Sequence, residues 1–437
     1  MTFRFDERRR RALEAFAGGV AVIPSARMLL RSGDTEHAYR QHSDLYYLCG
    51  FEEPDAVLVL APHHEHRSVL FLRKRDRTQE LWNGERLGVE RAIERLGVDA
   101  AYPIDELAER LPEYLSGAST LHYAVSSDEA FDRRIFAALE SARARTRRKG
   151  RAPEAIVDPG SVLHQMRLLK DAAEIEAMRR AADVTRDGHL AAMHATKPGI
   201  YEYEIKAMLE YAYARAGGQP AYQSIVASGD NATVLHYVRA RDRLETGTLL
   251  LVDSACELDY YATDVTRTWP VDGRFSAEQR AIYEIVLAAQ EAAIGAVRPG
   301  TPRTAFHDAA LRTIVEGLLD LGLLRGSVDE NVESEGYKAY YMHGTGHWIG
   351  LDVHDVGRYR HDDDSALLLQ PGMVTTVEPG IYVHRDAECA PRFKGIGVRI
   401  EDDVLVTASG NENLTAAIPK SVDAIEEAVG LLARIYA

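Results

Sequence analysis

Five residues in the second half of this 437-residue chain have the types and spacing to hold metal ions. Asp253 ends the apolar run Leu249-Leu-Leu-Val252, and Asp264 follows after a mostly polar interval. A strand that turned back at Leu258–Asp259 would set Asp253 opposite Asp264, with Cβ atoms roughly 4.5–5.5 Å apart. Like charges so placed repel and call for a cation between them; the alternative is two unrelated exposed aspartates. The segment His343-Gly-Thr-Gly-His347-Trp-Ile-Gly-Leu-Asp-Val-His354 adds three histidines in a glycine-punctuated stretch. Glu378 ends a further apolar run at Glu-Pro-Gly, and Arg399 and Glu401 share a strand face by the period of two. Each acid alone reads as solvated or ion-paired. Together Asp253, Asp264, His347, Glu378 and Glu401 form an oxygen-rich donor set carrying about four negative charges, which two divalent ions would cancel. Oxygen donors with one imidazole suit Mn²⁺, Co²⁺ or Zn²⁺, with Mn²⁺ the first choice. Two such ions about 3.5–4 Å apart can share a hydroxide, which is equipment for hydrolysis.

Competing chemistries lack their motifs. The chain has no HExxH, no GxSxG and no GxxxxGK. His63, His64 and His66 follow Pro62 in a polar turn and read as a surface loop; Gly344-Thr-Gly346 lacks the strand and helix of a dinucleotide site. Cys49, Cys256 and Cys389 are far apart and odd in number, so no disulfide framework is expected.

The elements that must position these residues fall into two blocks. Residues 1–170 alternate helix-like segments (Arg8–Ala17, Val89–Leu96, Ile104–Leu115) with short apolar strands (Val20–Ile23, Ala56–Ala61, Ser68–Leu72), the pattern of a small α/β domain. The Arg-rich stretch Ala142–Pro153, which includes Arg148 and Lys149, reads as a solvated helix end running into a linker. Residues 171–437 read as an α+β domain, opened by a helix with Asp171 as N-cap and continued by helices at Glu202–Ala216, Ala277–Ala296 and Thr304–Leu321. An internal repeat lies inside it. Leu244-Glu-Thr-Gly247-Thr-Leu-Leu-Leu-Val-Asp253 matches Leu369-Gln-Pro-Gly372-Met-Val-Thr-Thr-Val-Glu378: a turn glycine, an apolar strand, then an acid. A duplicated half-domain would bring equivalent acids to one shared centre.

Bulk properties narrow the partners. A net charge of −15 argues against a nucleic-acid partner, which needs a basic face. No apolar run is long enough to cross a membrane, and the basic cluster Arg8–Arg11 is not followed by a secretory-type apolar core, so the expected location is the cytoplasm.

These motifs resemble the signatures of the pita-bread metallopeptidases. Val-Asp253-Ser-Ala, Thr-Asp264-Val-Thr-Arg-Thr, the His343–His354 segment, Val-Glu378-Pro-Gly and Ile-Gly-Val-Arg399-Ile-Glu401 are most similar to aminopeptidase P, the Xaa-Pro aminopeptidases. Arg40-Gln-His-Ser-Asp44-Leu-Tyr-Tyr-Leu-Cys-Gly-Phe-Glu-Glu-Pro54 and Trp82-Asn-Gly-Glu-Arg-Leu-Gly88 are similar to that family's N-terminal domain, so the resemblance spans essentially the whole chain. It implies a pita-bread catalytic domain behind a smaller α/β domain that makes oligomer contacts and shapes access, in a homodimer or homotetramer. It implies that Asp253 chelates one metal, that Asp264 and Glu401 bridge, and that His347 and Glu378 complete the other, with Glu378 also shuttling the proton. His236 and His354 would contact the peptide, while His343 and Tyr222 would wall the proline pocket. Arg399 and Tyr382, with Asp34 a lesser candidate, would position Asp253 and the substrate, and Trp82 would reach a neighbouring subunit's site.

One departure bears on specificity. Gly346 stands where many aminopeptidase P members carry Ser, as in prolidases, whereas Trp348 and Asp355 match aminopeptidase P. A prolidase restricted to Xaa-Pro dipeptides is therefore the near alternative. Methionine aminopeptidases usually lack the extra N-terminal domain, creatinase-like hydrolases lack this metal set, and a binding-only relative would have lost its ligands.

Overall fold

The structure, a computed structural model, describes residues 3–147 and 150–431. The chain divides into two compact units, Thr2–Arg167 and Leu168–Ala437.

The first unit is built on a mixed six-stranded sheet. Its central strands, Gly19–Pro24, Val57–Leu60 and Ser68–Leu72, are antiparallel and nearly all buried, as their unbroken Val/Leu/Ile runs require. Ala100–Pro103 joins one edge in parallel, and Thr120–His122 followed by Ala155–Val157 extends the other. Helices Leu107–Leu115 and Glu129–Thr146 cover an apolar face formed by Val22, Val59, Phe71, Leu111 and Ile135. The Arg-rich segment ends a helix as expected, but the irregular stretch after it is short and stays within the first unit. Arg143 and Arg145 occupy the last turn of the Glu129–Thr146 helix, and the chain then returns to the sheet as Ala155–Val157. Apolar Ala155-Ile-Val157 can pair with Thr120–His122, and backbone pairing outweighs the linker-like composition before it. Arg148 and Lys149 lie outside the described residues.

The second unit repeats one plan twice. Helices Ala172–Ala195 and Glu202–Arg215 precede the antiparallel sheet Ile225–Ser228, Leu249–Asp253, Thr266–Pro270. Helices Ala277–Ala296 and Thr304–Asp320 precede the sheet Val374–Val377, Asp402–Val406, Asn411–Asn413. Local sequence starts both helix pairs. Asp171 caps Ala173 and Glu174 while the Glu174 carboxylate accepts from the Asp171 amide, and Ser276 and Gln279 do the same for the second pair. The repeated turn glycines, Gly247 and Gly372, are both left-handed, at φ 80° and 94°, a conformation that glycine adopts without a Cβ penalty. A two-stranded ribbon, Gly380–Val383 with Ile396–Arg399, completes the second unit.

The turn between the two aspartates differs from expectation. It falls at Asp259–Tyr260, both with positive φ, one residue later than Leu258–Asp259. This slips the register, and Asp253 pairs with Thr266 rather than Asp264. The two acids therefore do not meet as cross-strand partners; Asp264 reaches the site from the irregular link between the Tyr261–Ala262 and Thr266–Pro270 strands.

Candidate metal centre

Strand ends bring the acids together. Asp253 ends one strand of the first sheet, Glu378 follows Val374–Val377, and Glu401 lies between the strands that end at Arg399 and begin at Asp402. All five predicted ligands line one cavity of about 480 Å³, together with His236, His343, His354 and Arg399. Donor atoms of Asp264, His347 and Glu401 lie within 4.8 Å of one another. Asp253, Asp264 and Glu401 are each under a tenth exposed.

Hydrogen-bonding partners hold His347, Asp253 and Glu401 in place. The His347 Nδ1 lies 3.0 Å from the Trp348 carbonyl; a carbonyl only accepts, so Nδ1 carries a proton and Nε2 is the nitrogen available to a metal ion. That Nε2 is 3.4 Å from Asp264 and 3.8 Å from Glu378. Arg399 donates to Asp253 at 2.6 Å, to Tyr382 at 2.9 Å and to Thr266 at 3.0 Å. The Thr266 hydroxyl donates to Glu401 at 2.7 Å, so one guanidinium and one hydroxyl tie two acids of the site together. Tyr222 donates to the other Asp253 oxygen at 2.6 Å, and the Tyr382 hydroxyl is 2.9 Å from His343 Nε2. Behind Asp264, the Asp403 carboxylate accepts its backbone N–H at 3.1 Å.

The electrostatics call for added positive charge. Burial, with Asp264 and Asp253 nearby, pushes Glu378 up to about 7 despite the pull of His347 and Arg399. Burial and the surrounding acids also raise Glu401 well above its usual range and raise Asp253. Burial would lower His347, but Asp264 and Glu378 beside it prevail and hold it up at about 9. Burial brings His343 down to about 4. Arg399, the one lysine or arginine among the lining residues, is committed to Asp253. Four crowded carboxylates and one imidazole, whose Nε2 proton a metal ion would displace, fit divalent metal ions.

The chain matches the model of "Metallopeptidase family M24" over residues 176–408 and that of "Aminopeptidase P, N-terminal domain" over residues 5–123. The chain belongs to metallopeptidase family M24. Within the family it is similar to the Xaa-Pro aminopeptidase of Escherichia coli strain K12, at 43% identity over 96% of each chain. It superimposes on aminopeptidase PepP from Pseudomonas aeruginosa with a TM-score of 0.95, at 45% identity over 99% of this chain and 98% of that one. A zinc-substituted Escherichia coli aminopeptidase P in complex with product matches with a TM-score of 0.94, at 42% identity over 99% of each chain. The aminopeptidase P resemblance and the pita-bread catalytic domain are thereby established, as is the assignment as a metal-dependent aminopeptidase.

Other predicted residues stand apart from the cavity lining. Tyr222 and Tyr382 act on it through Asp253, Arg399 and His343. Trp82, on the Arg77–Asn83 helix, and Asp34, in the turn between Leu30–Ser32 and Thr35–Glu36, are exposed residues of the first unit. Sequence reasoning missed Leu235 and Tyr359, which line the cavity, and Thr266, which joins Arg399 to Glu401. Thr266 had a signal, two residues beyond Asp264 and so on the same face by the period of two. Tyr359 had none, because only the loop beyond His354 carries it in. Gly346 has a local cause: a Cβ there would lie 2.0 Å from the Thr376 carbonyl oxygen. Its likeness to prolidases thus reflects close packing, and no restriction to dipeptides follows from it.

Proposed function

We propose that this enzyme releases the N-terminal residue from peptides with proline in second position, including tripeptides and longer chains. The observation that carries the reading is the convergence of four acids and one imidazole on a single cavity, in a chain resembling Xaa-Pro aminopeptidases along nearly its whole length. Asp253, Asp264, His347, Glu378 and Glu401 would hold two divalent ions, Mn²⁺ by preference. When bound, the ions supply Lewis acidity that activates water and polarises the scissile carbonyl.

The chain's own residues do the rest. Asp253 is aimed by Arg399 and Tyr222, whose bonds favour its ionised form against the effect of burial. Glu378 takes a proton from the attacking water and delivers it to the departing proline nitrogen. His354, whose ring is 4.3 Å from that of His347, and His236 donate to the substrate carbonyl and so stabilise developing negative charge. Proline offers no N–H to a binding site, so its ring is recognised by shape, against His343, Tyr222 and the Tyr382 that orients His343.

The finer assignments belong to the same proposal. The first unit makes oligomer contacts in a homodimer or homotetramer, with Trp82 reaching a neighbouring subunit's site and Asp34 a lesser positioning candidate. The enzyme works in the cytoplasm on peptides, without nucleic-acid or membrane partners; among the described residues no helix is long and apolar enough to cross a membrane. The test is a peptide-length series with proline second, run with Mn²⁺ and with chelator. Cleavage of the tripeptide and longer members, lost on chelation and restored by Mn²⁺, supports the reading; chelator-resistant cleavage, or cleavage of the dipeptide alone, overturns it.

A further inference from the structure

The segment that carries His347 and His354 is a loop rather than a helix or strand, yet the two imidazoles must hold fixed directions. Short backbone bonds close it. The Trp348 carbonyl accepts both from His347 Nδ1 at 3.0 Å and from the Asp355 amide at 2.8 Å, so one oxygen orients the proposed ligand and closes the turn behind His354. The Gly350 carbonyl accepts from the Ala262 amide at 2.8 Å, tying the loop to the strand that leads to Asp264.

Beneath this loop lies an ion pair that the reaction does not use. Lys170 Nζ is 3.0 Å from the Asp355 carboxylate, and both side chains are 1% exposed. The Lys170 backbone is itself anchored, its N–H donating to the Gly372 carbonyl at 2.8 Å. Gly350 packs directly on the pair: a Cβ there would stand 2.4 Å from the Asp355 carboxylate and 2.7 Å from Lys170 Cε. A pair this dehydrated is poor value as stabilisation, since desolvation offsets the attraction and an apolar pair of similar volume often serves as well. What it supplies is direction: a charge anchored just ahead of the Ala172–Ala195 helix fixes Asp355, next in sequence to His354 and bonded to the carbonyl that orients His347.

We propose that Lys170 is a positioning residue for the metal centre and for substrate binding, acting through Asp355 on both His347 and His354. The proposal rests on the reading of His347 as a ligand and His354 as a substrate contact. It does not depend on which peptide is cleaved.

The experiment compares Lys170→Met, Asp355→Asn and the double variant Lys170→Met/Asp355→Leu with the parent. Mn²⁺ affinity of the metal-stripped proteins is measured by calorimetry, and kcat and KM are measured below the melting temperature of each. Leu318→Ala, in the core of the Thr304–Asp320 helix, serves as a variant destabilised away from the loop. The expected result is Mn²⁺ binding weakened about 10–100-fold in both single variants, the range for lost outer partners of metal ligands, with kcat reduced. Leu318→Ala should melt earlier with Mn²⁺ affinity unchanged. The double variant should regain melting temperature, having no orphan charge, but not Mn²⁺ affinity. Melting loss in the single variants with Mn²⁺ affinity and kcat within threefold of the parent would overturn the proposal, as would full recovery of affinity in the double variant. A parent that binds Mn²⁺ but cleaves no proline-second peptide would sink the proposed function while leaving the affinity comparison intact.

Discussion

Arg399→Lys tests the centre's logic most directly, because it keeps the charge and removes only the geometry. The guanidinium serves Asp253, Tyr382 and Thr266 at 2.6, 2.9 and 3.0 Å from three different nitrogens. A lysine has one nitrogen on a shorter head, so holding Asp253 means giving up the other two. At about 1.5 kcal/mol for each bond from a charged donor, the loss totals about 3 kcal/mol, or roughly 150-fold in kcat/KM. Thr266 is also freed to rotate away from Glu401, so Mn²⁺ affinity should fall in parallel. The assay is steady-state hydrolysis of a proline-second tripeptide over a Mn²⁺ titration, with metal content and melting temperature recorded. Activity within threefold of the parent at full metal loading would refute the reasoning, because charge alone would then suffice at this position.

Three further outcomes follow from the same geometry. Tyr222→Phe removes a 2.6 Å bond to buried Asp253 and should lower kcat/KM about tenfold; kinetics at saturating Mn²⁺ checks it. Gly346→Ala forces a Cβ against the Thr376 carbonyl and should destabilise the protein by about 1–3 kcal/mol, read as a lower melting temperature together with weaker Mn²⁺ binding. Burial would raise the Asp402 carboxyl, but Arg267 and Lys420 beside it hold it well below its usual value. Its stabilisation is therefore fully present above the unfolded-state value of about 3.9 and is lost as pH falls further. Asp402→Asn should melt earlier than the parent at pH 6, with the gap narrowing between about pH 4 and pH 2.5 in thermal scans.

The sequence by itself carried the chemistry and the local elements. Ligand types, the glycine–strand–acid repeat and the capping residues act over short stretches of chain, so composition and spacing record them; the helix expected at Ala277–Ala296 has those bounds, and Asp171 caps its helix. The repeat also foretold that acids from both halves would share a centre, because duplicated strands end at equivalent places. Only the tertiary structure decided how they meet. A turn set one residue later moved Asp253 opposite Thr266, since register has a period of two and a polar turn does not mark its own centre. The segment before Ala155 looked like a linker because pairing with Thr120–His122 is a non-local contact that composition cannot express. The Arg399–Thr266–Glu401 and Lys170–Asp355 links join residues up to 185 positions apart. Such bonds exist because folding removes these groups from water and leaves each needing a partner, and which partner it finds is a property of the packed chain.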